Sequence, residues 1–340
     1  MAKRERNPYF DNARLVLIFL VVFGHLIQPF TSESSGVNTL YLWIYTFHMP
    51  AFIFLAGFFA KGSGSIRDII KLAKKLLVPY LIFQVIYTGY YFLIGKDGWE
   101  FEMFYPHWAL WFLFSLFSWH MLLIAFKRVP AAMGLAITVG IGLIVGYFGD
   151  IGHSFSLSRT FVFFPFFLLG YLVTQNQLEW LKHIQFKAAA VIVMLAVAVG
   201  IYYAPDFNTG WLLASKSYSS LGLPEYGIIA RLLVYVTSFA MAASFLAWMP
   251  QKHYPLTVFG TQTIYVYLLH GFFVQFFRQA DLFAVNHLVD VLGLAVLAAL
   301  IVFALSSRPV RSIWQPFVEA KVSILKEKLK HHGRRRRISA

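Results

Sequence analysis

The chain has 340 residues, 59% apolar and 19% aromatic but only 13% charged, with mean hydropathy +0.65 and formal net charge +14. Soluble domains average about 25% charged residues, so this composition excludes a soluble globular protein and requires an integral membrane one, with no room for a separate soluble domain. The absence of cysteine removes disulfides, thiolate nucleophiles and zinc–thiolate sites together.

The N-terminus is basic, but the apolar run after it ends at Gln28-Pro29 without a small-residue cleavage site. It reads as a retained span rather than a cleaved signal. This first span opens on Arg14 and carries His25 inside it. An ionisable group at membrane depth is costly, and is a functional-site hypothesis by default. Eleven residues at ~100° each return to within ~20° of the starting direction, so Arg14 and His25 share one helix face ~16 Å apart along the axis. One face thus offers a cation at the inner membrane surface and an imidazole inside the bilayer.

Apolar windows of spanning length follow near 14–31, 39–60, 76–94, 107–126, 131–149, 159–175, 187–204, 226–248, 257–277 and 287–306. An even number of spans with both termini cytoplasmic leaves only Lys96, Arg159, Lys216, Arg231 and Arg278 of the 29 basic residues outside or near outer helix ends. That asymmetry is what the positive-inside rule requires. The net charge therefore reports topology and anionic lipid, and nucleic acid is not expected as a partner. Internal repeats and low-complexity linkers are absent.

Between the second and third spans lies a basic stretch, Lys61 to Lys75. Lys71 and Lys75 are one helical turn apart, and Lys71 and Lys74 nearly share their face. Such a cluster can hold phosphates as point charges, although topology alone also accounts for it. The outer loop 95–106 holds Asp97, Trp99, Glu100, Glu102 and Tyr105. Aromatics beside acids suit sugar rings and equally suit a bilayer interface. The longest outer loop, 205–225, contains Trp211, Tyr218, Gly222 and Pro224 and is placed to cap a site. The tail from Lys321 ends in Arg334 to Arg337 and is expected against the anionic inner leaflet.

Three further histidines fall inside spans. His48 sits in Phe47-His48-Met49-Pro50, where Pro50 frees the carbonyl of Thr46 and is expected to disturb the helix. His270 sits in Tyr265-Val-Tyr267-Leu-Leu-His270-Gly271, and His120 follows Trp119. By rise per residue, His25, His48 and His270 come to similar depth and can converge. His120 lies deeper toward the cytoplasm, where an interhelical hydrogen bond is its expected role. No intramembrane carboxylate or close histidine pair supplies zinc ligands, so no metal is expected. Asp11, three residues before Arg14, can orient the guanidinium.

These residues carry a resemblance. Arg6-x-x-Tyr9-Phe10-Asp11-x-x-Arg14, followed by ten residues and His25, resembles the first-span signature of the integral-membrane acyltransferase family 3. Phe47-His48-Met49-Pro50-x-Phe52 through Gly57 resembles its second span, particularly in the fucose 4-O-acetylase-like branch. Leu110-Trp111-Phe112-Leu113, Phe164-Pro165-Phe166-Phe167-Leu168-Leu169-Gly170-Tyr171 and Tyr267-Leu268-Leu269-His270 extend the match. The resemblance implies an all-α polytopic bundle of about ten transmembrane helices in a membrane acyltransferase domain, 1–320, followed by a basic cytoplasmic tail, 321–340.

It further implies a plasma-membrane enzyme that moves an acyl group, usually acetyl from cytoplasmic acetyl-CoA, to a hydroxyl of an extracytoplasmic or lipid-linked glycan. His25 would be the essential histidine and Arg14 its paired basic residue. Lys71, Lys74 or Lys75 would stand where the family places two arginines, a departure because lysine lacks the bidentate fork of arginine. Trp111 and Tyr267 would contact substrate. The family's extracellular hydrolase-like extension is not seen here, so the reaction is expected wholly within the membrane core.

The expected mechanism docks coenzyme A phosphates near Arg14, Lys71, Lys74 and Lys75 and sends the thioester arm toward His25. His25 acts as general base on the sugar hydroxyl, a contribution of roughly 10²–10⁴-fold. His48 or His270 orients His25 or the acceptor, and Arg159 positions acceptor or oxyanion. The competing reading is a transporter or exporter of a glycan or small polar solute, with the same residues lining its path.

Overall fold

Asn7 caps α1 (Pro8–Ile27): its side chain accepts from the Tyr9 amide at 3.0 Å, and Pro8 takes a first-turn position whose N–H would lack a helical partner anyway. A 3₁₀ turn over Gln28–Ser32 prolongs the helix past Pro29. The remaining helices are α2 (Ser35–Phe58), α3 (Ile66–Leu93), α4 (Trp111–Phe126), α5 (Ala131–Ile144), α6 (Leu157–Leu172), short α7 (Gln175–Trp180), α8 (Ile184–Tyr203), single-turn α9 (Gly210–Leu213), α10 (Gly227–Trp248), α11 (Thr263–Gln279), α12 (Leu288–Leu305) and α13 (Arg308–Val318).

This computed structural model describes residues 6–62, 64–97, 105–149, 156–204 and 207–320, and among them contains no strand. The tail from Lys321 and the outer-loop residues Trp99, Glu100 and Glu102 lie outside the described residues. Every apolar window of the sequence holds a helix. Six helical stretches are long and apolar enough to cross a membrane: Pro8–Ser32, Ser35–Phe58, Trp108–Phe126, Ile184–Tyr203, Gly227–Trp248 and Leu288–Leu305.

Burial divides these helices into centre and periphery. The most apolar window of α2 is 72% buried, whereas that of α8 is 6% buried. Ile192, Leu195 and Val199 of α8 are each more than half exposed. An apolar surface of that extent is stable only against lipid. α2 is central because small residues let neighbouring backbones approach it. A Cβ on Gly57 would strike the backbone carbonyl of Phe167 in α6, and one on Gly170 would strike that of Phe54 in α2.

Pro50 does not end α2, which runs unbroken through it. Proline costs a helix one hydrogen bond and some steric room, and here the helix is held on both sides by α6 and α10. The start of α1 is likewise pinned by distant chain. Tyr9 donates to the Leu246 carbonyl at 2.9 Å, and Asn12 donates to the Pro250 and Lys252 carbonyls and accepts from Thr257. These bonds fix where Arg14 leaves the bundle.

The segment after α8 is also fastened. Trp211 stacks on Tyr218 with centroids 5.3 Å apart, Tyr218 donates to the Leu143 carbonyl at 2.8 Å, and the buried Arg231 donates to the Trp211 carbonyl. Leu213, at the end of α9, reaches the cavity described next.

Candidate active site

The stripe Arg14, Ile18, Val21, His25 occupies one face of α1, as spacings of four, three and four residues dictate. Ile18, Val21 and His25 line a cavity of about 220 Å³, walled mainly by Met49, Phe52, Trp108, Trp111, Phe112 and Tyr267. Gln28, Tyr45 and Arg159 supply polar atoms among apolar ones. From Ile18 to Gln28 the cavity follows ~15 Å of helix rise.

His25 is half-buried and lines this cavity near the C-terminal end of α1. Its Nδ1 lies 3.2 Å from the Tyr45 hydroxyl, and its ring packs on Trp108 with centroids 4.3 Å apart. The His270 ring lies 5.7 Å away, nearly parallel. His48 packs against Tyr45, centroids 4.4 Å apart. The imidazoles of His25, His48 and His270 therefore do cluster, linked through Tyr45 on one side and direct stacking on the other.

Their hydrogen bonds divide the labour. A carbonyl can only accept, so the His48 Nδ1–H donates to the Ile44 carbonyl at 2.9 Å. The His270 Nδ1–H likewise faces the Val266 and Tyr267 carbonyls at 3.0 and 2.8 Å. Both rings are tied back to their own helices and almost wholly buried. His25 instead meets a hydroxyl, that of Tyr45, and borders the cavity.

Arg159, near the start of α6, extends over the face of Trp111, with its guanidinium carbon 4.9 Å from the ring centroid. Its Nε donates to the Leu213 carbonyl at 3.2 Å. The cation thus faces the same small cavity as His25. Tyr267 donates to the Ala109 carbonyl, fixing the turn that carries Trp108. The expected Trp111 and Tyr267 are both in the wall.

A second cavity, about 610 Å³, lies at the other end of the stripe. Arg6, Asp11, Arg14, Phe58, Phe59 and Lys61 line it. Asp11 holds the Arg14 guanidinium at 3.1 Å, and that guanidinium also sits 4.5 Å above the Phe59 ring. Lys71, Lys74 and Lys75 line neither cavity and are exposed, with Lys71 3.7 Å from Asp68. The cations gathered beside Arg14 are Arg6 and Lys61. One turn of α1, Arg14 to Ile18, or ~6 Å, separates the linings of the two cavities along that helix.

His120 packs on Phe167 away from the cluster, and its buried Nδ1 has no hydrogen-bond partner, so the expected interhelical bond is not made through that atom. Among the described residues, no three His, Asp or Glu side chains group as a metal site.

Sequence reasoning missed Tyr45, Gln28, Trp108 and Arg278. Tyr45 precedes His48 by three residues and Gln28 follows His25 by three, so both spacings marked a shared face. Arg278 had no local signal. Its Nη2 donates to the His25 carbonyl and to Gln28 Oε1, both at 2.7 Å, a contact across 250 residues or more.

A family profile described as an acyltransferase domain, of acyltransferase family 3, matches residues 7–307. The chain belongs to this family. It is an acyltransferase, and its first-span arginine and histidine are the two ends of the stripe above. It is 23% identical over 307 residues to the nodulation protein NolL of Mesorhizobium japonicum, covering 82% of this chain and 78% of that one. It is 25% identical over 338 residues to the nodulation protein NolL of Sinorhizobium fredii, covering 91% and 88%. No solved structure matches the acyltransferase.

Proposed function

We propose that this acyltransferase moves an acetyl group from cytoplasmic acetyl-CoA to a hydroxyl of an extracytoplasmic or lipid-linked glycan, with His25 as general base. It spans the plasma membrane ten times with both termini inside. The observation that carries this reading is the single stripe on α1, from a cationic cavity at Arg14 to an apolar cavity at His25.

The acetyl-CoA phosphates dock on Arg14, Arg6 and Lys61, with Lys71, Lys74 and Lys75 adding a diffuse positive field at the rim. The pantetheine arm passes the Ile18 turn into the apolar cavity. In the tautomer proposed, the His25 Nδ1–H donates to the Tyr45 oxygen and the lone pair lies on Nε2. Nε2 removes the proton as the sugar oxygen attacks the thioester carbonyl. The oxyanion that forms faces Arg159, whose charge acts strongly because the surrounding wall is apolar. Collapse re-forms the carbonyl, expels the thiolate and returns the proton from Nε2 to sulfur, giving the sugar ester and coenzyme A. His48 and His270 hold Tyr45 and His25 in place through packing.

Purified protein incubated with [acetyl-¹⁴C]acetyl-CoA and a panel of envelope glycans tests this directly. Label that becomes alkali-labile ester on a glycan supports it. Acetyl-CoA left intact across the panel while a glycan crosses proteoliposomes rejects it in favour of a carrier.

A further inference from the structure

A third cavity, about 360 Å³, lies beyond His25 at the C-terminal end of α1, the side read above as extracytoplasmic, and is formed by the end of α1, its 3₁₀ extension and the end of α11. Its lining includes His25, Gln28, Phe30, Glu33, Phe277, Arg278 and Asp281. His25 and Gln28 border this cavity and also the apolar one. They form the partition between the two.

We infer that this outer cavity is the acceptor subsite and that its ligand is a neutral, hydroxyl-rich sugar ring. The inference rests on the acyl-transfer reading and adds the acceptor's place and charge class. The volume falls in the ~300–1,000 Å³ range of small-molecule sites. The carboxylates of Glu33 and Asp281 pair with no Lys or Arg among the described residues, which leaves their oxygens to accept from sugar hydroxyls. Phe30 and Phe277 offer apolar faces to ring C–H groups. Arg278 contributes one positive charge against these two negative ones, so the cavity disfavours anionic sugars.

Arg278 has a different task. Its Nη2 grips the His25 carbonyl and Gln28 Oε1 at once, which fixes the partition between the two cavities. The sugar hydroxyl then meets the thioester only at the imidazole edge. Water in the outer cavity does not share the apolar wall on the donor side.

The absence of cysteine makes a decisive test simple, because Asp281→Cys introduces the sole thiol. Right-side-out vesicles carrying this variant, their own envelope glycan and internal [acetyl-¹⁴C]acetyl-CoA are treated with an impermeant sulfonate methanethiosulfonate. The expected result is a loss of at least tenfold in the maximal rate of glycan labelling, reversed by dithiothreitol, with the KM for acetyl-CoA unchanged. Label extracted into organic solvent marks a lipid-linked acceptor and label left behind marks a free glycan; either supports the sugar subsite. Complete modification without loss of labelling overturns the inference, as does a thiol unreachable from outside or a changed KM for acetyl-CoA. If Asp281→Cys transfers nothing before treatment, Phe283→Cys in the same cavity is tested identically. Wild-type vesicles that form no labelled glycan instead overturn the acyl-transfer reading itself.

Discussion

The two ends of the α1 stripe make opposite use of the same helix face. At Arg14 the cavity is large, about 610 Å³, and carries Arg6, Arg14, Lys61 and Asp11. At His25 it is about 220 Å³ and walled mostly by aromatic and aliphatic side chains. A hydrated polyanion can be held at the first end but would be costly to desolvate at the second. A thioester and an imidazole gain nothing from the first end but react best where water is scarce. Under the proposed function, recognition of charge belongs to one end and chemistry to the other, with one turn of helix between them.

Substitutions should therefore split by end, those near His25 acting on kcat and those near Arg14 on the KM for acetyl-CoA. The largest effect is expected for His25→Ala, a loss of roughly 10²–10⁴-fold in transfer with unchanged protein abundance in membranes, measured by quantitative immunoblot beside the rate. Arg159→Met should follow, with a kcat loss of about 10²–10³-fold as oxyanion stabilisation disappears. Its KM for acetyl-CoA should stay near wild type, and a KM-only effect would move Arg159 out of the chemistry.

Arg14→Ala should raise the KM for acetyl-CoA about tenfold, equivalent to ~1.4 kcal/mol of lost binding, with kcat nearly kept. If kcat falls instead, the separation of the two ends is wrong. Ile18→Trp, which places an indole in the passage between the cavities, should cost about fivefold in kcat/KM for acetyl-CoA. A larger penalty for longer acyl thioesters would sharpen the passage. The smallest effect belongs to the triple change of Lys71, Lys74 and Lys75 to Ala. These side chains are exposed and line neither cavity, so the KM for acetyl-CoA should rise less than about threefold, and less steeply at high salt.

The same contrast explains what the sequence made legible. The Arg14–His25 relation is a property of one helix, and helical periodicity alone places Ile18 and Val21 between them. The convergence of His25, His48 and His270 was foreseeable in depth, since rise per residue sets height in the bilayer. The lateral order of helices is not written in any local pattern. For that reason the cations beside Arg14 proved to be Arg6 and Lys61, while the lysines at the start of α3 point elsewhere. Arg278 looked like an outer-end charge for the same reason. Its bonds to His25 and Gln28 exist only because α11 packs against α1. Packing also decides how far the Pro50 disturbance reaches: proline takes one hydrogen bond from α2, and the helix, packed against α6 and α10, continues through it.

The most direct test seals [acetyl-¹⁴C]acetyl-CoA inside right-side-out vesicles and follows where the label goes. Alkali-labile label should accumulate on glycan exposed at the outer surface in wild-type vesicles and vanish in His25→Ala vesicles holding equal amounts of protein. Equal labelling with the alanine variant would contradict the assignment of the imidazole as the base joining the two faces.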